Sequence, residues 1–302
     1  MIAIPENAHH TPVLRKLDRW SLIVASNNDR ILQNNLLASP VIDDTCQVIA
    51  KQGFASAGKA YNAGISEAAH DLLVFAHQDV ILPPGWTSDL DRALTALAET
   101  DPGWGVLGLA GVESTPRREF RGYCYSTGLQ TILGQPFSKP VEVVSLDEIV
   151  LILRRSSGLK FDEQLPGFHF YGTDICLEAK RLGMRSYVAS AFCIHNTNGI
   201  RYFPQVFWRG YLYLRDKWSS ELPVRTCCTT ITKWCAPAMN RIARDTAHLV
   251  FWPRKVGKRW EDVGALRAAV QQERETLESA QEPSLAAAPR NTSGHHNREA
   301  NV

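Results

Sequence analysis

The residues of this chain best suited to chemistry are His77, Gln78 and Asp79, which directly follow an apolar run at residues 71–76. That run is short and unbroken, and Pro83-Pro84-Gly85 comes soon after it, a pattern typical of a buried strand. Ligands of open α/β sheets bind beyond the carboxyl ends of the strands, where this trio falls. A carboxylate there can hold a divalent metal that carries substrate phosphates. The alternative is that the His-x-Asp pair only caps a turn.

Two further stretches place polar groups where a nucleotide could bind. Ser26 ends a predicted strand at residues 20–26, and Asn27 follows it. Ser56-Ala57-Gly58 opens a predicted helix that carries Lys59 and Asn62, and small residues at a helix start let a phosphate or ribose approach the backbone N–H groups. The Gly-x-x-x-x-Gly-Lys-Ser/Thr spacing of a P-loop is absent. An ordinary packed helix is the alternative.

Asp174 and His195 are the remaining candidates. Thr173 and Asp174 begin a predicted helix that ends near Leu182, and both suit a purely structural role, Thr as an N-cap and Asp as a partner of the helix dipole. Beside a metal–phosphate site the same Asp can act as a general base on a hydroxyl. His195 follows a strand predicted over 186–194. It is either a loop residue or, if that strand lies near 71–76, the second protein ligand of the metal.

The elements that must position these residues alternate between strand and helix in the first third of the chain. Strands are predicted at 20–26, 46–50, 71–76 and 105–110, and helices at 30–37, 56–64 and 86–99. This alternation implies an α/β fold with a mostly parallel, doubly wound sheet. Shorter strands follow at 120–128, 141–145 and 149–153. Asp147-Glu148 precedes the last of these and could bind an acceptor hydroxyl or form a solvated turn. Later helices are predicted at 202–218, 237–250 and 261–282.

Composition narrows the class of protein. The 302 residues are 44% hydrophobic with a net charge of +2, which argues against a dedicated nucleic-acid binder. Seven cysteines without a CxxC pair, and no signal peptide, indicate a reducing cytoplasm. No apolar run is long enough to span a membrane. We therefore expect a flexible lead-in at 1–17, a main domain at 18–220, a basic helical extension at 221–282 and a disordered tail at 283–302.

The basic extension raises the question of a membrane partner. Residues 201–260 carry 12 Lys or Arg against 3 Asp or Glu. Arg254, Lys255, Lys258 and Arg259 flank Trp252 and Trp260, a mixture that resembles an interfacial membrane anchor. A docked helix with a basic exposed face explains the same pattern. Peripheral contact with the inner face of the membrane is one of two open interpretations.

Taken together, His77-Gln78-Asp79-Val80, the preceding Tyr61-Asn62-Ala63-Gly64-Ile65 and the later Gly172-Thr173-Asp174 resemble a family 2-type glycosyltransferase. More narrowly, they resemble the branch named after a streptomycin-biosynthesis protein, in which His-Gln-Asp replaces the usual Asp-x-Asp. The resemblance covers roughly residues 20–218. It implies a GT-A-like, Rossmann-type fold, a nucleotide-sugar donor and a divalent cation, Mn²⁺ or Mg²⁺.

Carried over by position, the resemblance assigns metal binding to Asp79 and His195 and the role of catalytic base to Asp174. Ser26 and Asn27 would lie near the nucleotide base, and Lys59 and Asn62 near the ribose and diphosphate. His77 departs from the pattern because it stands where the first carboxylate is expected. A neutral imidazole can bind Mn²⁺ or donate to a ribose oxygen, but it brings no negative charge.

Together with these residues, the resemblance implies metal-dependent, inverting transfer of a sugar from a nucleotide sugar to a hydroxyl acceptor, in the biosynthesis of a glycan or cell-surface polysaccharide. A nucleotidyltransferase would share the sheet and the metal, but it needs a Gly-rich basic loop that residues 27–29 do not supply. The second rival is a weak or inactive module of the same fold that only binds a nucleotide or glycan. Convergence of Asp79, His195 and Asp174 in one cleft would favour the enzyme, and an Asp174 that points away from that cleft would argue against it.

Overall fold

The computed structural model describes residues 19–115, 117, 119–200, 202–251 and 256–285. Its strands are β1 (Trp20–Ser26), β2 (Cys46–Gln52), β3 (Leu72–Ala76), β4 (Val80–Ile81), β5 (Val106–Gly108), β6 (Ala110–Glu113), β7 (Phe120–Ser126), β8 (Thr131–Gly134), β9 (Val141–Leu146), β10 (Val150–Arg154), β11 (Ser186–Val188), β12 (Cys193–His195), β13 (Val224–Arg225) and β14 (Thr230–Ile231). Its α-helices are α1 (Asp29–Asn34), α2 (Ala57–Glu67), α3 (Trp86–Thr100), α4 (Tyr171–Arg181), α5 (Gln205–Lys217), α6 (Ala236–Val250) and α7 (Val263–Leu285).

One large sheet organises the described residues. Its order is β2-β1-β3-β10-β5-β11-β9-β6-β7-β12-β4, with β8 beside β7. Since β1 and β3 are parallel, Ser26 and Ala76 end at the same edge. The antiparallel β10 starts at this edge, where Val150 pairs with Ala76. His195 of β12 pairs with Val80, just beyond β3. Four segments that are distant in sequence therefore meet there.

Hydrophobic cores lie on both faces of the sheet, as the doubly wound interpretation requires. Along β1, Ile23 packs in one buried cluster with Tyr61 of α2. Its neighbour Leu22 packs in a second cluster with Trp86 and Leu90 of α3. Successive strand residues point to opposite faces, so an unbroken apolar run serves both cores. Full burial of such side chains contributes about 1.5–3 kcal/mol each, which fixes the strand ends that carry the site.

The α/β class is confirmed, but the expectation of a mostly parallel sheet is wrong in detail. Four strand pairings in the described part of the large sheet are parallel and seven are antiparallel. Parallel neighbours require a long crossover, whereas antiparallel ones can be joined by a tight turn. After α3 the chain forms six strands without an intervening α-helix, so the alternation of strands and helices in the first third of the chain does not continue.

Two local predictions also differ from the structure. The strand expected over 186–194 is divided into β11 and β12, which pair with different neighbours. The helix expected to start at Thr173 starts at Tyr171, because Phe170 takes a left-handed conformation, with φ of 66°, at the N-cap position. Thr173 is consequently buried inside the helix and does not cap it.

The chain divides into two compact units, the first ending at Trp260 and the second starting at Glu261 and containing α7. Residues 221–251 and 256–260, which the sequence places in a basic extension, belong to the first of these units; the predicted domain boundary near 220 stays a prediction. The predicted lead-in lies outside the described residues, as do 286–302 of the predicted tail, while 283–285 continue α7. None of the described helices is both long and apolar enough to cross a membrane.

Candidate metal centre

His77, Asp79 and His195 converge at the sheet edge described above. One ligand atom from each of the three side chains lies within 4.8 Å of the others. The Nε2 atom of His195 is 3.3 Å from Oδ1 of Asp79, and the rings of His77 and His195 have centroids 5.4 Å apart. β3 delivers the first two residues and β12 delivers the third, as its pairing with β4 requires. Two imidazoles and one carboxylate form a set that can hold a divalent cation.

Hydrogen bonds orient the His77 ring. The Tyr171 hydroxyl donates to the Glu148 carbonyl oxygen at 3.2 Å, since a carbonyl can only accept. His77 Nε2 lies 3.0 Å from the same hydroxyl and donates to it in the tautomer that keeps the bond from Tyr171 to Glu148. Nδ1 is then the ring nitrogen that carries the lone pair. An outer partner of this kind fixes the tautomer of a metal-binding histidine.

The charge states of the group suit a cation. Burial and the nearby His195 lower the pKa of His77 to about 4, so its ring is neutral at neutral pH. Burial acts to raise the pKa of Asp79, but the hydrogen bond and charge of His195, together with Arg259, hold it below its ordinary value. Asp79 is thus ionised, and the residues present fit a bound divalent metal.

Arg259 is the site residue that the sequence assigned differently. Its Nη2 atom donates to Oδ2 of Asp79 at 2.7 Å, and its Nε donates to the carbonyl oxygen of Asn196 at 2.8 Å. The side chain of Asp79 is only 10% exposed, so its charge needs a partner. From the sequence, the basic cluster around Trp260 was interpreted either as a membrane face or as the exposed face of a docked helix. Only the fold could show that one of its members turns inward.

Ser26 and Asn27 lie beside the centre because Gln78 holds them there. The Gln78 Oε1 atom accepts from the Ser26 hydroxyl at 2.8 Å and from the Asn27 N–H at 3.2 Å. The Gln78 Nε2 group donates to Oδ1 of Asn27 at 2.7 Å. The middle residue of the motif thus joins the ends of β1 and β3. The sequence analysis gave Gln78 no role of its own, although its position between His77 and Asp79 could have indicated one.

Lys59 and Asn62 are not brought to the histidines by any contact among the described residues. Lys59 is exposed on α2. The Asn62 amide donates to the Phe161 carbonyl at 2.8 Å and accepts from the Phe161 N–H at 3.0 Å, so it holds the segment before α4 against α2. Their assignment to the ribose and diphosphate stays a prediction.

Asp174 lies in a separate buried cluster. Its carboxylate accepts from Lys217 Nζ at 2.8 and 3.0 Å and from Trp218 Nε1 at 2.7 Å. Burial raises the pKa of Asp174 above its ordinary value although both partners favour the charged form. No hydrogen bond or ion pair among the described residues connects this carboxylate with Asp79 or His195. The convergence expected of the three residues is therefore seen for Asp79 and His195, with His77 as the third.

Glu148 is connected to the centre through its backbone, because its carbonyl oxygen accepts from the Tyr171 hydroxyl that also contacts His77. It lies in the 147–149 link between β9 and β10, where its carboxylate accepts from the Gly172 N–H at 3.4 Å. A Cβ on Gly172 would be 2.6 Å from the Leu146 carbonyl oxygen, so glycine permits this close approach of α4. Burial and the neighbouring Asp147 raise the pKa of Glu148 to about 8. An acid with such a pKa can exchange a proton near neutral pH.

The chain is similar to known proteins over parts of its length. A family model described as "Glycosyltransferase like family" matches residues 21–203. A curated relative, "ATP synthase subunits region ORF 6" of Fuscovulum blasticum, is 36% identical over 129 residues, which is 41% of this chain and 50% of the relative. The chain thus spans about half the length of that relative, whose name states no activity.

Solved structures with partial likeness have low sequence identity. TarS of S. aureus matches with a TM-score of 0.44 and 13% identity, over 66% of this chain and 39% of TarS. The mannosyltransferase PcManGT from Pyrobaculum calidifontis, solved with GDP-Man and Mn²⁺, has a TM-score of 0.43 and 13% identity, over 88% of this chain and 80% of its own.

Proposed function

Because the chain belongs to the glycosyltransferase-like family, whose model matches more than half of it, we propose that it transfers a sugar from a nucleotide sugar to a hydroxyl acceptor. The observation that carries this proposal is the convergence of His77, Asp79 and His195 at the carboxyl end of β3. The matched region contains all three residues. Membership of the streptomycin-named branch stays a prediction. We propose that the transfer serves the biosynthesis of a glycan or cell-surface polysaccharide.

His77, Asp79 and His195 would hold the cation. A divalent ion bound there would stabilise the negative charge that develops on a departing diphosphate. Imidazole nitrogens suit transition metals, whereas Mg²⁺ prefers oxygen ligands in an octahedral arrangement. The two histidines therefore favour Mn²⁺ over Mg²⁺ as the first ion to test.

The residues around the centre have separate proposed tasks. Ser26 and Asn27, held by Gln78, would lie near the nucleotide base. Asp174 is the base that the resemblance implies for an inverting displacement, in which it would take the proton of the attacking hydroxyl. Its ion pair with Lys217 would have to loosen for that. Glu148 is a second candidate base, because its raised pKa and its place beside α4 suit the same task.

Calorimetry of UDP and GDP binding tests the proposal, with Mn²⁺ present and then chelated, on the wild-type protein and Asp79→Ala. We expect one nucleotide to bind in a metal-dependent manner, and Asp79→Ala to abolish that binding. Lys180→Met, at an exposed residue of α4, is the control and should bind as the wild type does. Nucleotide binding that depends on neither metal nor Asp79 would contradict the site. If neither nucleotide binds, either the donor carries another base or the protein is the inactive module and binds a glycan instead of a nucleotide.

We also propose that the protein contacts anionic lipid, at the cytoplasmic face of a membrane, through α6 and the residues on either side of it. Trp234, Met239 and Phe251 are 81%, 67% and 68% exposed. The basic residues Lys233 and Arg244 in the same stretch are also exposed. Each nearby Lys or Arg contributes about 1 kcal/mol of attraction to an anionic surface. Trp252, Arg254 and Lys255, which suggested this role, lie outside the described residues.

Sedimentation with vesicles of mixed phosphatidylglycerol and phosphatidylcholine tests this contact. Trp234→Ser should lower binding to the anionic vesicles, because Trp prefers the membrane interface. The control Leu129→Ser removes another exposed apolar side chain, in the turn between β7 and β8, and should have no effect. Equal binding of both variants would refute the contact.

A further inference from the structure

Residues 256–260, which we term the strap, are fixed across the loops beside the metal centre. Gly257 donates its N–H to the Gly128 carbonyl oxygen at 2.9 Å, and it accepts from the Gly199 N–H at 3.0 Å. A Cβ on Gly257 would be 1.8 Å from the Thr127 carbonyl oxygen. The strap therefore approaches both loops more closely than a larger residue at 257 would permit.

The last two residues of the strap bind the loop that follows β12. The Arg259 N–H donates to Oδ1 of Asn198 at 3.0 Å, and the Trp260 N–H donates to Oδ1 of Asn196 at 2.8 Å. Asn196 is fully buried and in turn donates its own N–H to the Asp79 carbonyl oxygen at 2.9 Å. These bonds aim the Arg259 guanidinium at the Asp79 carboxylate.

Asp79 thus has its two oxygens engaged in different ways. Oδ1 faces His195, which can bind a cation with it, while Oδ2 accepts from Arg259 at 2.7 Å. A divalent ion and a guanidinium on one carboxylate repel each other, and the low solvent exposure of the site strengthens this repulsion. Any cation that binds Asp79 must therefore overcome or displace the contact with Arg259.

We propose that Arg259 is the built-in counter-ion of Asp79 and competes with the divalent cation, so that cation binding loosens the strap. The inference rests on the proposed function only in requiring a cation at Asp79. It assigns to the strap the task of keeping the buried carboxylate neutralised when no metal is bound. It also makes metal affinity depend on a residue that is not a ligand. Coupling between two such sites is reciprocal.

Mn²⁺ titration followed by electron paramagnetic resonance of the free ion tests this competition without any substrate. Arg259→Gln should bind Mn²⁺ about tenfold more tightly than the wild type, within the usual range of such couplings. The matched control is Lys258→Gln, which removes the same charge from an exposed neighbour in the strap. It should change the affinity by less than about twofold, since exposed charges are screened by salt.

Gly257→Ala provides a second test that keeps the arginine. Its Cβ would displace the strap, so it should also tighten Mn²⁺ binding. Hydrogen exchange gives an independent readout: saturating Mn²⁺ should speed exchange of the Gly199 amide, which donates to the strap. Circular dichroism would confirm that each variant is folded.

The outcomes separate this inference from the proposed function. If wild-type binding of Mn²⁺ requires Asp79 but Arg259→Gln leaves it unchanged or weakens it, the competition is refuted and the metal site stands. An equal increase in Mn²⁺ affinity in Arg259→Gln and Lys258→Gln would also refute it, because the loss of any positive charge in the strap would then explain the effect. If no variant binds Mn²⁺, both the metal site and the competition are wrong.

Discussion

Lys217→Met should destabilise the protein strongly, because Lys217 neutralises the buried carboxylate of Asp174. Lys217 Nζ lies 2.8 Å from Oδ1 of Asp174, whose side chain is 3% exposed. Loss of one partner of a buried ion pair costs about 3–5 kcal/mol. Lys217 itself is 25% exposed and Trp218 still donates to Asp174. We therefore expect a loss of about 2–4 kcal/mol in the free energy of unfolding at pH 7, since solvent screens part of the interaction.

The pH dependence follows from the direction of the pKa shift. Burial already raises the pKa of Asp174 above that of the unfolded chain, and removal of Lys217 removes the largest opposing influence. The folded variant then binds a proton more readily than the unfolded chain does. Its stability should fall as the pH rises from about 4 through the raised pKa. The deficit relative to wild type should be smaller at pH 5 than at pH 8.

Urea denaturation at both pH values provides the measurement. Lys180→Met is the matched control, because Lys180 pairs with Glu221 at 2.6 Å but is 67% exposed; its effect should stay below about 1 kcal/mol. The double variant Lys217→Met/Asp174→Asn should recover much of the loss, since the buried charge is gone. If Asp174→Asn instead adds a further loss to Lys217→Met at pH 8, the reasoning about an uncompensated carboxylate is wrong.

Two further predictions concern Glu148 and Gln78. Glu148→Gln should be more stable than wild type at pH 8 but not at pH 5. A carboxyl whose pKa is raised to about 8 in the folded protein destabilises the fold as the pH rises above the pKa of the unfolded chain. Urea denaturation at the two pH values tests this, and an equal difference in stability at both would contradict it. Gln78→Ala should lose about 1–3 kcal/mol of stability by leaving Ser26 and its neighbours without their acceptor. It should weaken nucleotide binding while Mn²⁺ binding persists, and calorimetry that finds both unchanged would contradict the role given to Gln78.

The sequence predicted the strands best where an unbroken apolar run forms a strand that is buried on both faces. The apolar runs at β1 and β3 serve cores on both faces, so their bounds and the polar residues at their ends could be predicted. The later strands could not be placed, because their partners depend on pairings across the sheet. β10 lies between β3 and β5, far from β9, which precedes it in the chain. No local periodicity encodes such a choice of neighbour.

The site residues also fall into two groups, those that local sequence predicts and those that only the fold brings together. His77, Gln78 and Asp79 are adjacent in sequence, and His195 was identified by its place after a strand. The sequence could not identify the residues that act through long-range contacts, which are Tyr171, Arg259 and Lys217. Their partners lie 43 to 180 positions away in the chain, as in the Arg259–Asp79 bond. Charge and aromatic content suggested an outward role for Arg259. Its direction is set by the strap's backbone bonds, which depend on the folded loops.

The identity of the catalytic base can be decided by the pH dependence of transfer, because the two candidates differ in their surroundings. Asp174 is held by Lys217 and Trp218, so proton uptake there would break an ion pair. Glu148 has a pKa raised to about 8 and no cation bonded to its carboxylate among the described contacts. A general base acts only when deprotonated. If Glu148 is the base, the transfer rate should rise with pH through about 8, and Glu148→Gln should remove that rise. A rate that is already constant from pH 6 to pH 9, and that falls about 10²- to 10⁴-fold in Asp174→Asn alone, would assign the proton transfer to Asp174.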